Sequence, residues 1–286
     1  MTSSIRRRVV IIAGLVAVVV AVVAGGLWWY LRDDAPAEVD LADAVASLEQ
    51  AQQSQSADTT APAAAPQDGG YGEGAQAPAT SEASAPEDDA ETAAPVPQIS
   101  FPVAGRWSVD TTIGSFDFEQ ATGSFVGFRV DEELSGIGSV TAVGRTGVVS
   151  GEMDIDGTRL VGATIVADLS ELTTNDPGRN GPARRALDTA NFPEASFVLS
   201  DAVDLGGAVE DGSAVSISAA GELTIKGITR PTTFAIDAQV VGDVIVVVGR
   251  VDVVFADFDV VAPSAPIVLS VDDHGVIEFQ LLFTQG

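Results

Sequence analysis

Histidine, lysine and cysteine, three residue types that often carry catalysis, are nearly absent from this sequence. The single histidine, His274, lies in the segment VDDHGV, and the single lysine, Lys226, lies between two runs of alternating apolar residues. Because the chain contains no cysteine, disulfides, thiol catalysis and cysteine-based zinc or iron–sulfur sites are excluded. Because its segment is typical of a hairpin loop, an exposed turn position for His274 is favoured over a general-base or triad function. We therefore predict that His274 and Lys226 are solvated turn residues.

Carboxylates are abundant, but their spacing indicates no site. The chain has 41 acidic and 14 basic residues, for a net charge of −27, which disfavours binding to nucleic acid. Asp131, Glu132 and Glu133 form a run typical of a solvated edge. Asp154 to Gly157 (DIDG) begins like a calcium loop but lacks the remaining ligands, so a β-turn is favoured. We predict no catalytic residue, no metal site, no cofactor and no nucleic-acid partner.

The segments that hold these residues have the pattern of β-strands. From about residue 99, apolar residues recur at every second position, as in SFVGFRV, GELTIKG, TTFAIDAQV and VIEFQLLF, and Gly and Asp-Gly pairs separate the runs. About eight strands and one short helix near Ala183 to Leu187 fit into this part. The pattern predicts an all-β fold, an antiparallel barrel or sandwich, and the long hydrophobic runs favour a closed barrel because they would be hazardous as open edges.

A barrel with apolar inward faces and few catalytic side chains favours binding of a small apolar ligand over turnover. The inward face is assigned by parity, so an error of one residue would move a whole strand's set outward. The stretch RRALDTANFPEASFVLS places arginines, with Arg184 as the chosen candidate beside Arg179 and Arg185, near a helix that Pro193 ends. There they could hold a polar head group or pair with surface carboxylates. The predicted ligand-binding residues are Val126, Phe128, Val130, Phe197, Leu199, Leu223, Ile225, Phe234, Ile236, Phe279, Leu281 and Arg184.

The N-terminal region predicts a membrane anchor. Arg6, Arg7 and Arg8 precede an uncharged apolar run from Val9 to Leu31. At ~1.5 Å per residue, a helix of this length crosses a ~30 Å hydrocarbon core. The aromatic end, Trp28 to Tyr30, fits the membrane interface better than it fits the cleavage site of a signal peptide. We predict a single-pass cell-membrane protein with a cytoplasmic N-terminus (1–8), a transmembrane helix (9–31) and an extracytoplasmic barrel.

Between anchor and barrel, the composition changes to Ala, Pro, Gln, Gly, Ser and Thr. Asp33 to Gln98 carries acidic residues and no Lys or Arg. The segment Val39 to Gln50 could form about three helical turns, which are marginal in isolation. We predict a disordered acidic Ala/Pro-rich linker over 32–98, with a root-mean-square reach of about 45 Å, and a barrel domain over 99–286.

Three motifs of the barrel part resemble the YceI-like family when taken in this order and spacing. These are SFVGFRV, the stretch TTNDPGRNGPARRALDTANFPEASFVLS and the hairpin GELTIKGITRPTTF, and the similarity extends from Thr122 to Gln285. The resemblance implies an exported eight-stranded lipocalin-like barrel that binds a long isoprenoid, such as a polyprenyl quinone, in an elongated cavity. Family members often have histidines flanking the first motif, where this chain has Gly123 and Glu132.

Three hypotheses for function follow. The leading one is a membrane-tethered, extracytoplasmic, non-enzymatic binding protein for an apolar chain such as a polyprenyl quinone or other isoprenoid lipid. The alternative is a structural or interaction module with a solid core and no ligand. The third is a hydrolase with an unusual carboxylate site. A cavity with small residues opposite large ones would favour the first over the second.

Overall fold

The computed structural model describes residues 35–59 and 103–286 of the 286-residue chain. The predicted cytoplasmic N-terminus (1–8), the predicted transmembrane helix (9–31) and the linker residues 32–34 and 60–98 lie outside the described residues. So do residues 99–102 of the predicted barrel domain. Within the described ranges, no helix is long and apolar enough to cross a membrane.

The described part is a closed antiparallel barrel with two α-helices. Its 13 strands belong to a single sheet. Helix α1 is Leu41–Thr59 and α2 is Pro177–Ala186. The strands are β1 Gly105–Val109, β2 Phe125–Leu134, β3 Gly138–Thr146, β4 Val149–Asp156, β5 Arg159–Asp168, β6 Thr173–Thr174, β7 Glu194–Leu199, β8 Val203–Asp204, β9 Val215–Ile225, β10 Ile228–Val241, β11 Val244–Val254, β12 Val268–Val271 and β13 His274–Gln285.

Eight strand positions encircle the barrel, which confirms the predicted strand number and architecture. β3 and β4 are separated only by Gly147 and Val148 and run in the same direction, so they act as one bent strand. β1 and β2 lie one after the other along β13, and β1 closes the barrel by pairing with both β13 and β4. The short strands β6, β8 and β12 pair at the margins with β3, β5 and β2.

The strand alternation produces an apolar interior, as the sequence predicts. In β9, for example, Val215, Ala219, Leu223 and Ile225 are buried, while most of the residues between them are exposed or half-buried. Such period-two burial is what a sheet with one apolar face requires. β11 departs from this pattern, because consecutive residues from Val244 to Val248 are all buried. Both faces of that strand are therefore covered.

Helix α1 provides the outer cover of β11. The Asp40 carboxylate caps it by accepting the backbone N–H groups of Ala42 and Asp43 at 2.8 and 3.2 Å. One helical turn apart, Ala44 and Leu48 are 3% and 2% exposed and pack on an outer apolar patch of the barrel. That patch consists of Val244, Val246, Val248 and Leu282.

For residues 35–59 this arrangement corrects the prediction of a disordered linker. A helix of this composition is marginal in isolation, but packing against the barrel supplies stabilisation that no local pattern contains.

The described residues contain two α-helices, which corrects the prediction of one short helix. The helix that was predicted, α2, also has different bounds. α2 begins at Pro177, where the Asp176 carboxylate accepts the N–H of Gly178 at 2.8 Å, and it ends at Ala186, before the predicted end at Leu187. An N-cap Asp followed by Pro at the first helical position favours helix initiation there. The predicted strand after Pro193 is confirmed, because β7 starts at Glu194.

One end of the barrel is closed by a packed core. Trp107 is fully buried, and its Nε1–H donates to the carbonyl of Val103 at 2.8 Å. Around it lie buried residues of β4, β5, β9 and β13 and the short 3-10 turn that contains Val209. The hairpin turns at 157–158 and 242–243 lie at this closed end, and α2 and the segment 259–267 lie at the opposite end.

Candidate functional site

The barrel encloses an apolar cavity of about 650 Å³. This is within the ~300–1,000 Å³ range of small-molecule sites. The eleven apolar residues predicted to bind ligand all lie on its wall: Val126, Phe128, Val130, Phe197, Leu199, Leu223, Ile225, Phe234, Ile236, Phe279 and Leu281. The structure therefore brings these side chains together around one space, and their contact with a ligand remains a prediction.

The cavity is deep at the closed end and reaches the surface at the other. Wall residues near the closed end, including Met153, Leu160 and Val209, are buried. Wall residues in the segment 259–267, including Pro263 and Ile267, are exposed. We call this open end, between α2 and segment 259–267, the mouth. An elongated ligand would enter here with its apolar end first.

Three phenylalanine rings lie against glycines on neighbouring strands, which keeps them close to the wall. Phe128 faces Gly144 across the β2–β3 pair, and Phe279 faces Gly249 across the β11–β13 pair. The ring of Phe197 similarly covers Gly221 of β9. In each case the ring occupies the space that a Cβ on the glycine would need. The large residue therefore lies flat and leaves the lumen open.

Phe234 joins two of these rings into one aromatic strip. Its ring centroid is 5.0 Å from that of Phe197, in an edge-to-face arrangement at 76°, and 5.6 Å from that of Phe279. Both separations are typical of stabilising aromatic pairs. The strip crosses β7, β10 and β13 and gives part of the cavity wall a fixed, polarisable surface.

Sequence reasoning missed the part of the wall that β4 and β5 supply. Met153, Ile155, Leu160, Ala163 and Ile165 line the cavity. The alternation of Met153 and Ile155 in GEMDID was a usable signal, since its period is two. In β5 the signal is interrupted, because the β4–β5 pairing shifts register between Asp154 and Ile155.

The mouth carries a charged pair, of which Arg179 was named beside Arg184 as a possible head-group contact and Glu132 was not. Arg179 of α2 and Glu132 of β2 both line the cavity, with Arg179 Nη2 3.0 Å from Glu132 Oε2. Their side chains are 24% and 12% exposed. Glu132 Oε2 is buried and, among the described residues, accepts no hydrogen bond of good geometry. The ion pair therefore leaves acceptor capacity at the mouth.

Arg184 is not on the cavity wall, which corrects its proposed position. Its Nε and Nη2 donate to the carbonyl of Leu172 at 3.0 and 2.8 Å. Arg184 thus ties α2 to the segment before it, because helical geometry points it away from the side that Arg179 occupies. Arg185 is exposed and also lies off the wall.

The other chemical candidates lie on turns or strand ends. His274 is exposed, and its ring Nδ1 is 3.1 Å from the Asp273 carboxylate. That hydrogen bond, with the nearby charge of Asp272, raises the pKa of His274. Lys226 donates to the carbonyl of Asp259 at 2.6 Å from its turn, and Gly157 completes the β4–β5 turn with φ 59°. Among the described residues, no group of three potential metal ligands comes together.

Comparison with known proteins gives a family match and several structural likenesses. The family model described as YceI-like domain matches residues 117–283, more than half of the chain. No curated protein sequence matches the chain. The match leaves β1 and the whole of residues 35–59 outside the family region.

Among solved structures, the chain is similar to Burkholderia cenocepacia BcnA, with 20% identity and a TM-score of 0.45, over 61% of this chain and 98% of that one. It is similar to a polyisoprenoid binding domain from Saccharophagus degradans implicated in plant cell wall breakdown, with 19% identity and a TM-score of 0.46. This similarity covers 63% of this chain and 98% of that one. It is also similar to a Campylobacter jejuni YCEI protein, with 14% identity and a TM-score of 0.39, over 48% and 81%.

Proposed function

The chain belongs to the YceI-like domain family, and from that premise we propose that it binds an apolar chain, a polyprenyl quinone or another isoprenoid lipid, inside the barrel. The observation that carries this proposal is the barrel cavity of about 650 Å³ with an apolar wall, closed at one end and open at the other. An isoprenoid matches such a site because it is long, apolar and narrow.

The free energy of binding would come mainly from transfer of the chain out of water. At ~0.8 kcal/mol per buried carbon, each five-carbon unit contributes about 4 kcal/mol before ordering costs are subtracted. Affinity should therefore rise with chain length until the cavity is full. At the mouth, Arg179 can donate to an oxygen of the head group and Glu132 can accept from a hydroxyl.

The cavity disfavours the two other hypotheses. A structural module with a solid core would fill the inward faces, whereas here the phenylalanine rings fold onto glycines and leave space. A hydrolase would need two carboxylates free to act on a substrate. The carboxylate residues on the described wall are Glu132, paired with Arg179, and Asp176, which caps α2. Binding is the better supported function.

We also propose that residues 9–31 anchor the protein in the cell membrane and that the barrel lies outside the cytoplasm. The support is the arginine cluster before the apolar run and the aromatic residues at its far end. A reporter fused after Gly286 should be active only outside the cytoplasm, and intact-mass analysis should find the N-terminus retained. A new N-terminus between Ala24 and Asp34 would refute the anchor.

The binding proposal is tested with the full-length chain in detergent, by native mass spectrometry and by titration with polyprenyl lipids of increasing length. Phe197→Asp places a carboxylate in the cavity, and Val198→Asp makes the same type of change at the next residue of β7, whose side chain points outward and is 45% exposed. A folded Phe197→Asp variant that loses lipid, beside an unaffected Val198→Asp control, supports the cavity. Folded wild-type protein with no affinity at any chain length refutes the function.

A further inference from the structure

Two charged residues on the outer wall of the barrel are buried rather than solvated, and a third, Arg129, has a side chain that is only 13% exposed. Arg145 of β3 and Glu278 of β13 are 4% and 1% exposed. Arg145 Nη2 and Nε lie 2.7 and 3.2 Å from Glu278 Oε1, and Arg129 Nη1 of β2 lies 3.7 Å from the same oxygen. Their neighbours along the strands, such as Phe128 and Phe279, face the cavity, so the cluster faces outward. Burial of an outward-facing ion cluster requires a cover.

The cover is the extended segment before α1. Arg129 Nη1 donates to the carbonyl of Pro36 at 2.8 Å, and Arg145 Nη2 donates to the carbonyl of Ala37 at 2.9 Å. A guanidinium group presents several donors in a fixed plane, so each arginine can serve Glu278 and a backbone carbonyl at the same time. The backbone of residues 36–37 thus accepts hydrogen bonds from both arginines of the cluster, and the carbonyl of Phe118 accepts a further one from Arg145 Nη1 at 3.4 Å.

α1 then extends this contact over the outer apolar patch of the barrel, where Ala44 and Leu48 lie against β11 and Leu282. The two contacts differ in kind, since one is polar and the other apolar, and they are consecutive in sequence. The residues of segment 35–59 that make these contacts lie outside the region that the family model matches, and their barrel partners lie inside it.

We propose that residues 35–59 are a docked segment, an integral part of the folded domain that fixes the N-terminal end of the chain to the flank of the barrel. The consequence for tethering rests on the proposed membrane anchor. Docking that begins at Pro36, whose carbonyl accepts from Arg129, leaves only residues 32–35 between the apolar run and the barrel. Five backbone steps from Leu31 to Pro36 span at most about 18 Å. The predicted linker of residues 32–98 would instead allow a reach of about 45 Å.

We call the stretch between the proposed anchor and the docked segment the tether. Docking keeps this tether short and holds the barrel close to the bilayer, from which an isoprenoid would be collected. Residues 60–102 then lie after the tether in sequence and connect α1 to β1. They do not set the distance between membrane and barrel.

The test separates covalent from docked attachment. A protease recognition sequence is inserted between Gly69 and Gly70 of the full-length chain, which carries an N-terminal affinity tag and is purified in detergent. After complete cleavage, capture by the tag should retain the barrel fragment. Ala44→Asp should reduce the captured fraction by at least about tenfold, because an unpaired carboxylate is strongly disfavoured in an apolar interface. Ala46→Asp, the same exchange at an exposed position of α1, should retain it.

Release of the wild-type barrel after cleavage would overturn the proposal, and so would equal capture of the Ala44→Asp and Ala46→Asp variants. The assay contains no lipid ligand, so its outcome is independent of the binding function.

A second arm measures the tether in proteoliposomes. Because the chain has no cysteine, Ser218→Cys on an exposed position of β9 takes a single donor dye, with acceptor-labelled lipid in the bilayer. Energy transfer should be efficient in the uncut wild type and in Ala46→Asp, and should fall in Ala44→Asp as the tether lengthens. Equal transfer in all three would overturn the short tether. Uncut protein absent from the membrane fraction would refute the anchor, and the capture result would still decide the docking.

Discussion

The pairing of cavity phenylalanines with glycines predicts that one added methyl group will shorten the ligand that fits. Gly249 of β11 lies opposite Phe279 of β13. A Cβ at Gly249 would lie 2.8 Å from Cε1 and 3.0 Å from Cε2 of the Phe279 ring and would also contact Cζ. In Gly249→Ala the ring must therefore rotate away from the wall, and the cavity is the space available to it.

The size of the effect follows from what the ring displaces. A phenyl ring moved into the lumen removes room for about one five-carbon unit. At ~0.8 kcal/mol per carbon, the loss of binding free energy is at most ~4 kcal/mol for a ligand that fills the cavity. This corresponds to a decrease in affinity of at most about 1,000-fold. Overpacking should lower the free energy of unfolding by ~1–3 kcal/mol. Ligands shorter than the remaining cavity should bind nearly as they do to the wild type.

The assay is a titration of wild type and variant with isoprenoids that differ by single units, together with urea unfolding of each protein. The expected signature is a plateau of affinity reached about one unit earlier in the variant. Gly162→Ala is the matched control, since an added Cβ on that β5 residue would meet only Asp154 Oδ2 at 3.9 Å. A uniform loss of affinity at all chain lengths, or an unchanged plateau, would refute the proposed packing of Phe279.

Three further predictions concern stability and titration. Arg145→Met leaves Glu278 buried without its closest partner and should lower the free energy of unfolding by ~3–5 kcal/mol in urea denaturation, and a loss below ~1 kcal/mol would contradict the buried ion pair. Trp107→Ala should cost ~3–5 kcal/mol because the fully buried indole closes one end of the barrel, and an unchanged melting temperature would contradict this. The pKa of His274, read by NMR titration, should lie above ~6.5, and Asp273→Asn should lower it. Because the pKa of His274 is higher in the folded than in the unfolded protein, protonated His274 stabilises the fold below about pH 6.5, and this stabilisation is lost as the pH rises through the folded-state pKa. A folded-state pKa at or below ~6.5 would contradict the hydrogen bond to Asp273.

The inward faces of the strands could be predicted because burial of one face imposes a period of two on each strand separately. The choice of Phe128, Phe197 and Phe279 needed no knowledge of which strands are neighbours. The glycines beneath these rings could not be predicted in the same way. Gly144, for instance, faces Phe128 only in the register that the assembled sheet adopts.

The choice between arginines at the mouth shows a signal that was present in the sequence but not used. Asp176 followed by Pro177 is a typical helix start. Counting from there, Arg179, Pro182, Ala183 and Ala186 recur at spacings of three and four and form one side of α2, and all of them line the cavity. Arg184 falls outside this series, and its hydrogen bonds to Leu172 follow from that. The N-cap at Asp176 fixes which residues of α2 share one side of the helix, and this argument would have selected Arg179 over Arg184 as the residue at the mouth.

The docked segment was missed because composition was weighed one segment at a time. Residues 35–59 cannot bury enough apolar surface by themselves, and taken alone they fit a linker. The barrel, however, contains a strand that is apolar on both faces, with Val244, Val246 and Val248 on the side away from the cavity. An exposed row of this kind would be a site for aggregation, so it requires a cover. The helical stretch that carries Ala44 and Leu48 has the complementary apolar side, and α1 forms because the barrel presents a surface to receive it.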